Sequence, residues 1–546
     1  MKALTRRVFI TTASAAVFIA AFGNRLFAEE KSAKQPNILF LVADDLRWNS
    51  TGFGGDPLVQ TPNLDRLGAA GVIFNRAAVT TSICMASRAS MLTGQWLSRM
   101  GGARVTPQTW KDTWPAQLRA AGYYGGHIGK IHVSGQSASG YDFWAGRNGP
   151  YHWLKGNGAE GGGIHSIQKD TDEALRFLDK RPKDKPFFLQ VAYTVPHAED
   201  HDPKQYLPMP QEDALYAARA VPVPETVAPE YWLRLPPFFR EARNESRARW
   251  TKRFDTPEKY QEMVKNYYRL ISGMDRSIGT ILEALRAGGV SDNTVVVFIG
   301  DKWLLPREHG LADKWYAYEE SLRVPLLIYD PRLPAEGRGK RCDNWVLNVD
   351  IAPTFCAMAG VKAPAAMQGC DITPLLHGQT PAAWRTDFLY QFKWYSEVIP
   401  ASEAVCSKDW KYIRWVGHRT EELFDLRNNP LETRDLSKDP AHAADLARLR
   451  ARCDELKREV GGSTLQDLTN MPYGVKEKIS DATGESQVVS NGRLWRRVEC
   501  STRLKSTSDD LLVDNYEGSY VVDGVLMGYK SLISNEEQIF KRCARF

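Results

Sequence analysis

Three carboxylates in this 546-residue chain stand where apolar runs stop. Asp44 and Asp45 follow Asn37-Ile38-Leu39-Phe40-Leu41-Val42-Ala43, and Asp301 follows the run Thr294 to Ile299 and Gly300. A third run, Pro186 to Tyr193, ends near His197. Carboxylates placed this way offer hard oxygen ligands suited to Ca²⁺ or Mg²⁺. Cys84, Arg88, Lys130, His132 and Lys314 are the other residues with chemistry to offer. Taken singly, each has an ordinary role. An Asp at a strand end caps a helix, a Lys is solvated, and a Cys near an Arg packs.

The elements that must position these residues are legible in outline. Continuous apolar runs read as strands buried on both faces. Helices are predicted over Asp65 to Ala70, Trp114 to Ala121, Asp172 to Leu178 and Asp275 to Ala287. Strands alternating with helices predict an α/β fold, a mostly parallel central sheet flanked by helices. The polar residues gather after strand ends, where open α/β sheets place their sites. After about residue 365 the pattern shortens to strands at Trp410 to Trp415 and Glu422 to Leu426, then a helix from Ala441 to Val460. This predicts a catalytic domain over 36–365 and a smaller α+β domain over 366–462. Residues 463–546 carry a β-like run, Ser519 to Val525, and no assigned role.

The ends of the chain set its destination. Residues 1–28 join a basic start (Lys2, Arg6, Arg7) to an apolar run, Val8 to Phe22, and Leu26-Phe27-Ala28 offers a cleavage site. This is a signal-peptide layout, too short for a stable membrane span. The string Thr5-Arg6-Arg7-Val8-Phe9-Ile10 is similar to a twin-arginine signal, so export to the periplasm or beyond is expected. The leader holds four basic residues and no acid, so the formal charge of +6 becomes +2 without it. A nearly neutral mature chain gives no electrostatic case for nucleic-acid binding. The eight cysteines include no C-x-x-C pair, which excludes a zinc framework and leaves room for one or two disulfides outside the cytoplasm.

The segment Cys84-Met85-Ala86-Ser87-Arg88-Ala89-Ser90-Met91-Leu92-Thr93-Gly94 resembles the signature C-x-P/A-S-R-x-x-x-L-T-G of type I sulfatases, members of the alkaline phosphatase superfamily. Thr61-Pro62-Asn63-Leu64-Asp65-Arg66-Leu67 is similar to the family's T-P-N-x-D-x-L, and Gly129-Lys130-Ile131-His132 to its G-K-x-H. Pro196-His197, Met274-Asp275, His309-Gly310 with Lys314, Val349 to Thr354 and Glu422 to Leu426 follow in the family's order, over roughly residues 36 to 460. The resemblance implies hydrolysis of a sulfate ester with release of sulfate. The nucleophile would be a formylglycine made from Cys84 by a maturation enzyme. A hydrated aldehyde carries two hydroxyls, one to attack sulfur and one to expel sulfate later. The resemblance further implies that Asp44, Asp45, Cys84, Asp301 and position 302 hold a divalent cation, Ca²⁺ ahead of Mg²⁺. Arg88 would hold the formylglycine, Lys130 and Lys314 would grip sulfate oxygens, and His132 would manage the protons of the hydrate. His197 would assist the leaving oxygen.

One departure matters. The family places Asn or His directly after the acid at 301, in a string such as D-N-G-Y-F-L-G-E-H-G. This chain has Lys302 there and reads Asp301-Lys302-Trp303-Leu304-Leu305-Pro306-Arg307-Glu308-His309-Gly310. A protonated lysine cannot ligate a cation and repels it. One set of codons that would encode the string as written is GAC-AAA-TGG-CTA-CTT-CCT-CGG-GAG. Losing one A after the first codon and gaining one G before the last would yield D-N-G-Y-F-L-G-E, so the hypothesis is a compensated frameshift over 302–307, in the gene or in its sequencing. As written, the chain is expected to bind Ca²⁺ weakly and to be nearly inactive.

Two other functions share much of this pattern: a phosphate or phosphonate ester hydrolase of the same superfamily, and a non-catalytic binding protein in which Lys302 has displaced the metal. The expected substrate is a sulfated small molecule or a sulfated glycan. Loops over 141–163 and 200–253 are placed to select it, with Trp144, Tyr151, Trp153, Tyr231 and Trp232 available to stack on sugar rings.

Overall fold

The computed structural model describes residues 35–461, except 150, 155–162, 242–243, 303–304, 307 and 394–397, and beyond them only the strands lying between 477 and 529. The leader expected over 1–28 and part of the 141–163 loop lie outside the described residues.

An eight-stranded sheet forms the centre. Its strands in chain order are β1 (Asn37–Ala43), β2 (Val72–Phe74), β3 (Tyr124–Lys130), β4 (Phe143–Arg147), β5 (Phe187–Ala192), β6 (Thr294–Gly300), β7 (Leu326–Tyr329) and β8 (Lys340–Cys342). Across the sheet they run β8-β2-β7-β6-β1-β5-β3-β4. All neighbours pair parallel except β7, which is antiparallel to both β6 and β2. The fold is therefore α/β with a mostly parallel sheet. Helices α1 (Pro62–Ala70), α2 (Cys84–Thr93), α3 (Trp114–Ala120), α4 (Ser166–Lys180), α5 (Glu245–Phe254), α6 (Pro257–Ala287) and α7 (Ile351–Met358) surround it.

Because β1 lies between β5 and β6 and both faces are covered, all seven of its residues are buried. Its side chains alternate between two cores. Ile38, Phe40 and Val42 join one cluster, where Phe40 meets Trp114 of α3 and Phe355 of α7 edge-on, with ring centroids 6.0 and 5.0 Å away. Leu39, Leu41 and Ala43 join the other, with Phe177 of α4 and Ile271 and Ile278 of α6.

The sequence reading missed three features here. Helix α6 spans 31 residues and starts at Pro257, where the Thr256 hydroxyl accepts the Lys259 N–H, well before the expected Asp275. Strand β3 escaped notice because it reads Tyr-Gly-Gly-His-Ile-Gly-Lys, with little strand propensity. Its glycines are required by packing: a Cβ on Gly125 would lie 2.2 Å from the Phe188 ring, and one on Gly126 would lie 2.5 Å from that of Phe177. Helix α2, opened by Cys84 itself, was not foreseen as a helix.

The C-terminal part is an antiparallel sheet of β9 (Asp387–Phe392), β10 (Ser402–Ser407), β11 (Trp410–Trp415) and β12 (Thr420–Asp425), with helix α8 (Ala443–Glu459). Farther on, β13 (Glu477–Ser480), β14 (Ser486–Ser490), β15 (Arg493–Val498), β16 (Gly518–Val522) and β17 (Val525–Tyr529) form a second antiparallel sheet. The expected run Ser519 to Val525 is divided between β16 and β17. Among the described residues, no helix is long and apolar enough to cross a membrane. Cys84, Cys342, Cys356, Cys370, Cys406 and Cys453 are free thiols.

Candidate active site

The carboxyl edge of the sheet brings together residues from six separate segments. Asp44 and Asp45 leave β1 and Asp301 leaves β6. The Asp301 N–H donates to the Ala43 carbonyl (2.9 Å), and the Asp44 N–H to that of Val195 (3.0 Å). Side chains of successive residues in an extended strand point to opposite faces. Asp45 instead takes a left-handed backbone, φ 62°, and both carboxylates converge on one ammonium. His132 (φ 44°) and Asp313 (φ 68°) share this uncommon conformation, which non-glycine residues adopt mainly where surrounding structure enforces it.

Cys84 is buried at the first turn of α2, its Sγ 3.0 Å from His132 Nδ1. Burial pushes the Cys84 thiol up, but His132, Lys130 and Lys302 together bring it well below the usual thiol range. One turn along α2, Arg88 donates from Nε to Asp301 Oδ2 (2.7 Å) and from Nη1 to the Lys130 carbonyl (3.2 Å). Its Nη2 also lies 3.6 Å from Asp44. Lys130 ends β3 and donates to Asp44 Oδ2. The residue before it must be glycine: Gly129 has φ 89°, and a Cβ there would lie 2.2 Å from the Ala192 carbonyl oxygen.

Lys314 donates to Asp45 Oδ2 (2.9 Å) and to His197 Nε2 (3.2 Å). His197 Nδ1 donates to the Ala198 carbonyl (2.6 Å), which leaves Nε2 as the acceptor. Burial, followed by Lys314, holds His197 well below the usual imidazole value, so the ring is neutral. His152 in turn donates from Nε2 to the His197 carbonyl (2.6 Å). Lys314 is set from behind by residues the sequence reading missed. Asp313 accepts from Arg249 (2.6 Å) and pairs with Arg253 (3.0 Å), and both arginines also hold Asp200. Only the adjacency of Asp313 to Lys314 hinted at this. The arginines and Asp200 sit far away in sequence, with no motif to mark them.

Lys302 is fully buried. Its Nζ donates to Asp44 Oδ1 (2.8 Å) and to Asp45 Oδ1, and lies 4.0 Å from Asp301 Oδ1. Burial opposes its charge, but Asp44, Asp45 and Asp301 raise its pKa well above the usual lysine value. Burial likewise disfavours the Asp44 carboxylate, yet Lys130 and Lys302 hold it well below its usual range.

Asp44, Asp45 and His197 present ligand atoms within 4.8 Å of one another, a spacing one metal ion can bridge. The residues as they stand do not fit a divalent cation. Ca²⁺ takes six to eight oxygens at about 2.3–2.6 Å, whereas the Asp44 and Asp45 oxygens that would serve are bonded by Lys302, Lys130 and Lys314. Four cations, Arg88, Lys130, Lys302 and Lys314, already face three carboxylates.

Of the five aromatic residues expected to stack on sugar rings, four are engaged within the protein. Trp144 stacks on His127, Trp153 meets His165 edge-on, and Trp232 and Tyr231 lie under Arg247 and Arg234. Tyr151 remains 52% exposed, one residue from the His152 that touches His197.

The sulfatase family model matches residues 36–361, and the C-terminal model of N-sulphoglucosamine sulphohydrolase matches residues 307–459. The chain is similar to an N-acetylglucosamine-6-O-sulfatase of Bacteroides thetaiotaomicron, 26% identical over 82% of this chain and 90% of that one. It is also similar to an iduronate 2-sulfatase of Mus musculus, 26% identical over 60% of this chain and 69% of that one. A solved protein in complex with its substrate, D-glucosamine-2-N,6-O-disulfate, superimposes with TM-score 0.66 and 25% identity, covering 78% of this chain and 98% of that one. The phosphonate monoester hydrolase of Agrobacterium radiobacter shares the fold, with TM-score 0.62 and 20% identity over 78% and 96% of the two chains.

Proposed function

This chain belongs to the sulfatase family of sulfuric ester hydrolases, and on that premise we propose that it cleaves its ester through a formylglycine formed from Cys84. The observation that carries this reading is the setting of Cys84: a buried helix-start thiol 3.0 Å from His132, with the charges of Lys130, Lys302 and Arg88 acting on it. Its Sγ marks where the hydroxyls of the hydrated aldehyde would lie.

A hydrate at position 84 would supply the hydroxyl that attacks sulfur. Its proton would pass to Asp301, a buried acid raised to about 6 by burial and by Asp44, as the new S–O bond forms and the bond to the departing alcohol breaks. Lys130 and Lys314 neutralise the sulfate oxygens as charge builds on them. A proton must reach the alcohol oxygen, and the Lys314–His197 pair is the donor at hand. His132, 3.0 Å from the Cys84 position, would take the proton of the second hydroxyl as the C–O bond to sulfate breaks, sulfate keeping the electron pair, and water would then restore the hydrate. Mass spectrometry of the Cys84 peptide, from chain co-expressed with a formylglycine-generating enzyme, should show conversion of the thiol. Cys84→Ala should abolish sulfate release. An unmodified thiol beside an active protein would sink the proposal.

The relatives support a sulfated glycan, an amino sugar first, as substrate, and exposed Tyr151 offers a face for its ring. Tyr151→Ala should lower kcat/KM on sulfated glucosamine by roughly tenfold, about 1.4 kcal/mol, and leave a small aryl sulfate unaffected. The phosphonate hydrolase neighbour gives the alternative reading its footing. Faster release from an aryl phosphonate than from the matched aryl sulfate would favour it. The leader supports export by the twin-arginine route, which deletion of Arg6 and Arg7 should block.

A further inference from the structure

The geometry points to Lys302 as a resident cation: its ammonium occupies the place between Asp44, Asp45 and Asp301 that a divalent ion would take. In this form the chain binds neither Ca²⁺ nor Mg²⁺ there. The inference deepens the sulfatase reading, since that reading supplies the expectation of an ion, but its test requires neither formylglycine nor turnover.

Three observations converge on it. The first is exclusion. An ion about 2.3–2.6 Å from Asp44 Oδ1 and Asp45 Oδ1 would overlap Nζ, which bonds both of those oxygens. The second is reach. Lys302 follows Asp301 directly, its side chain is fully buried, and its stem returns from the end of β6 to the end of β1. Two of its N–H donors are used on carboxylates and Asp301 lies at 4.0 Å, so its three donors face the three acids. The third is charge. Arg88, Lys130 and Lys314 alone balance Asp44, Asp45 and Asp301 one for one. Lys302 is then a fourth cation against three carboxylates. A divalent ion added beside it would bring two further positive charges into a buried site whose acids are already matched, which low dielectric makes costly.

Lys302→Asn removes the ammonium bonded to Asp44 Oδ1 and Asp45 Oδ1, so it should open the site, and Ca²⁺ should then enter it.

Calorimetry and thermal unfolding of the full chain, with Ca²⁺ and separately with EDTA, decide the matter. As written, the chain should show no heat of Ca²⁺ binding at this site and the same Tm in either solution. Lys302→Asn should bind one Ca²⁺ on the order of a hundredfold or more tighter than the parent, with a Tm that rises on adding the ion. Lys302→Met, which keeps the stem and removes the charge, guards against a folding failure in the first variant and should show the same Ca²⁺-dependent rise. Adding Asp45→Asn to either variant should remove the gain. Tight Ca²⁺ binding by the parent that Asp45→Asn abolishes would overturn the inference. Failure of both Lys302 variants to bind the ion would overturn it too.

Discussion

At the scale of single residues, the proposed mechanism divides labour between two histidines. His132 lies beside Cys84 and His197 faces Lys314. His132→Ala should therefore spare the first step and slow the second, lowering kcat by about 10²–10⁴. Intact-mass spectra taken during turnover should show a sulfated protein accumulating. Loss of activity without that species would move His132 out of the release step. Position 302 gives a second prediction. Replacing 302–307 by Asn-Gly-Tyr-Phe-Leu-Gly should raise turnover by on the order of 10²–10³ in the presence of Ca²⁺, because an ammonium supplies charge but fewer directed contacts than an ion. Genomic resequencing of these codons separates an inherited change from a one-nucleotide slip. Cys84, Arg88, Lys130, His132, His197 and Lys314 stood out in the sequence through short motifs in the family's order, although β3 and α2, which carry four of them or lead to them, were not foreseen. Asp200, Arg249 and Arg253 were not, because their role exists only once distant segments meet behind Lys314.

At the scale of elements, the sheet was legible where its strands are apolar and illegible where glycine builds them. β1 and β6 announce themselves, whereas β3 can lie against β5 only because its glycines keep side chains out of the way. Gly125→Ala should cost about 1–3 kcal/mol in chemical denaturation, the usual cost of overpacking. Gly129→Ala should preserve most secondary structure yet weaken sulfate-ester turnover, since it moves Lys130 away from Asp44. The C-terminal sheet carries a titration of its own. Glu422 on β12 is buried, accepting from Trp415 Nε1 (2.7 Å) and the Tyr318 hydroxyl (3.1 Å). Burial raises it from 4.5 to about 8. An acid raised by folding holds its proton in the native state after the unfolded chain has lost it, so stability falls as pH rises from about 4.5 to about 8. Glu422→Gln keeps an acceptor for Trp415 and should flatten that slope in denaturation measured from pH 5 to pH 8.

At the scale of the whole molecule, the two parts read from the sequence share one interior. A single apolar cluster runs from Ile38 of β1 to Leu456 of α8. Trp415 packs edge-on against Phe239 at 5.2 Å, and Phe388 packs against Trp345 at 5.0 Å. Lys411 of β11 is fully buried, donating to the Ala317 carbonyl and Glu432 while pairing with Glu319. Residues 36–365 expressed alone should therefore be insoluble or fail to unfold cooperatively, because β9 to β12 share and cover this apolar cluster. A soluble fragment with a sharp transition would show that the parts fold independently.

Lys302 also changes how the molecule relates to its surroundings. An ion held by coordination obeys mass action, and its occupancy follows the concentration outside. An ammonium on a covalent stem has a local concentration fixed by the chain, and the only particle it can exchange is a proton. Folding this chain would complete its charged site in a single event, with no capture step to follow. Refolding in a chelator and refolding in millimolar calcium should then proceed at one rate and to one yield, in waters rich or poor in the ion alike.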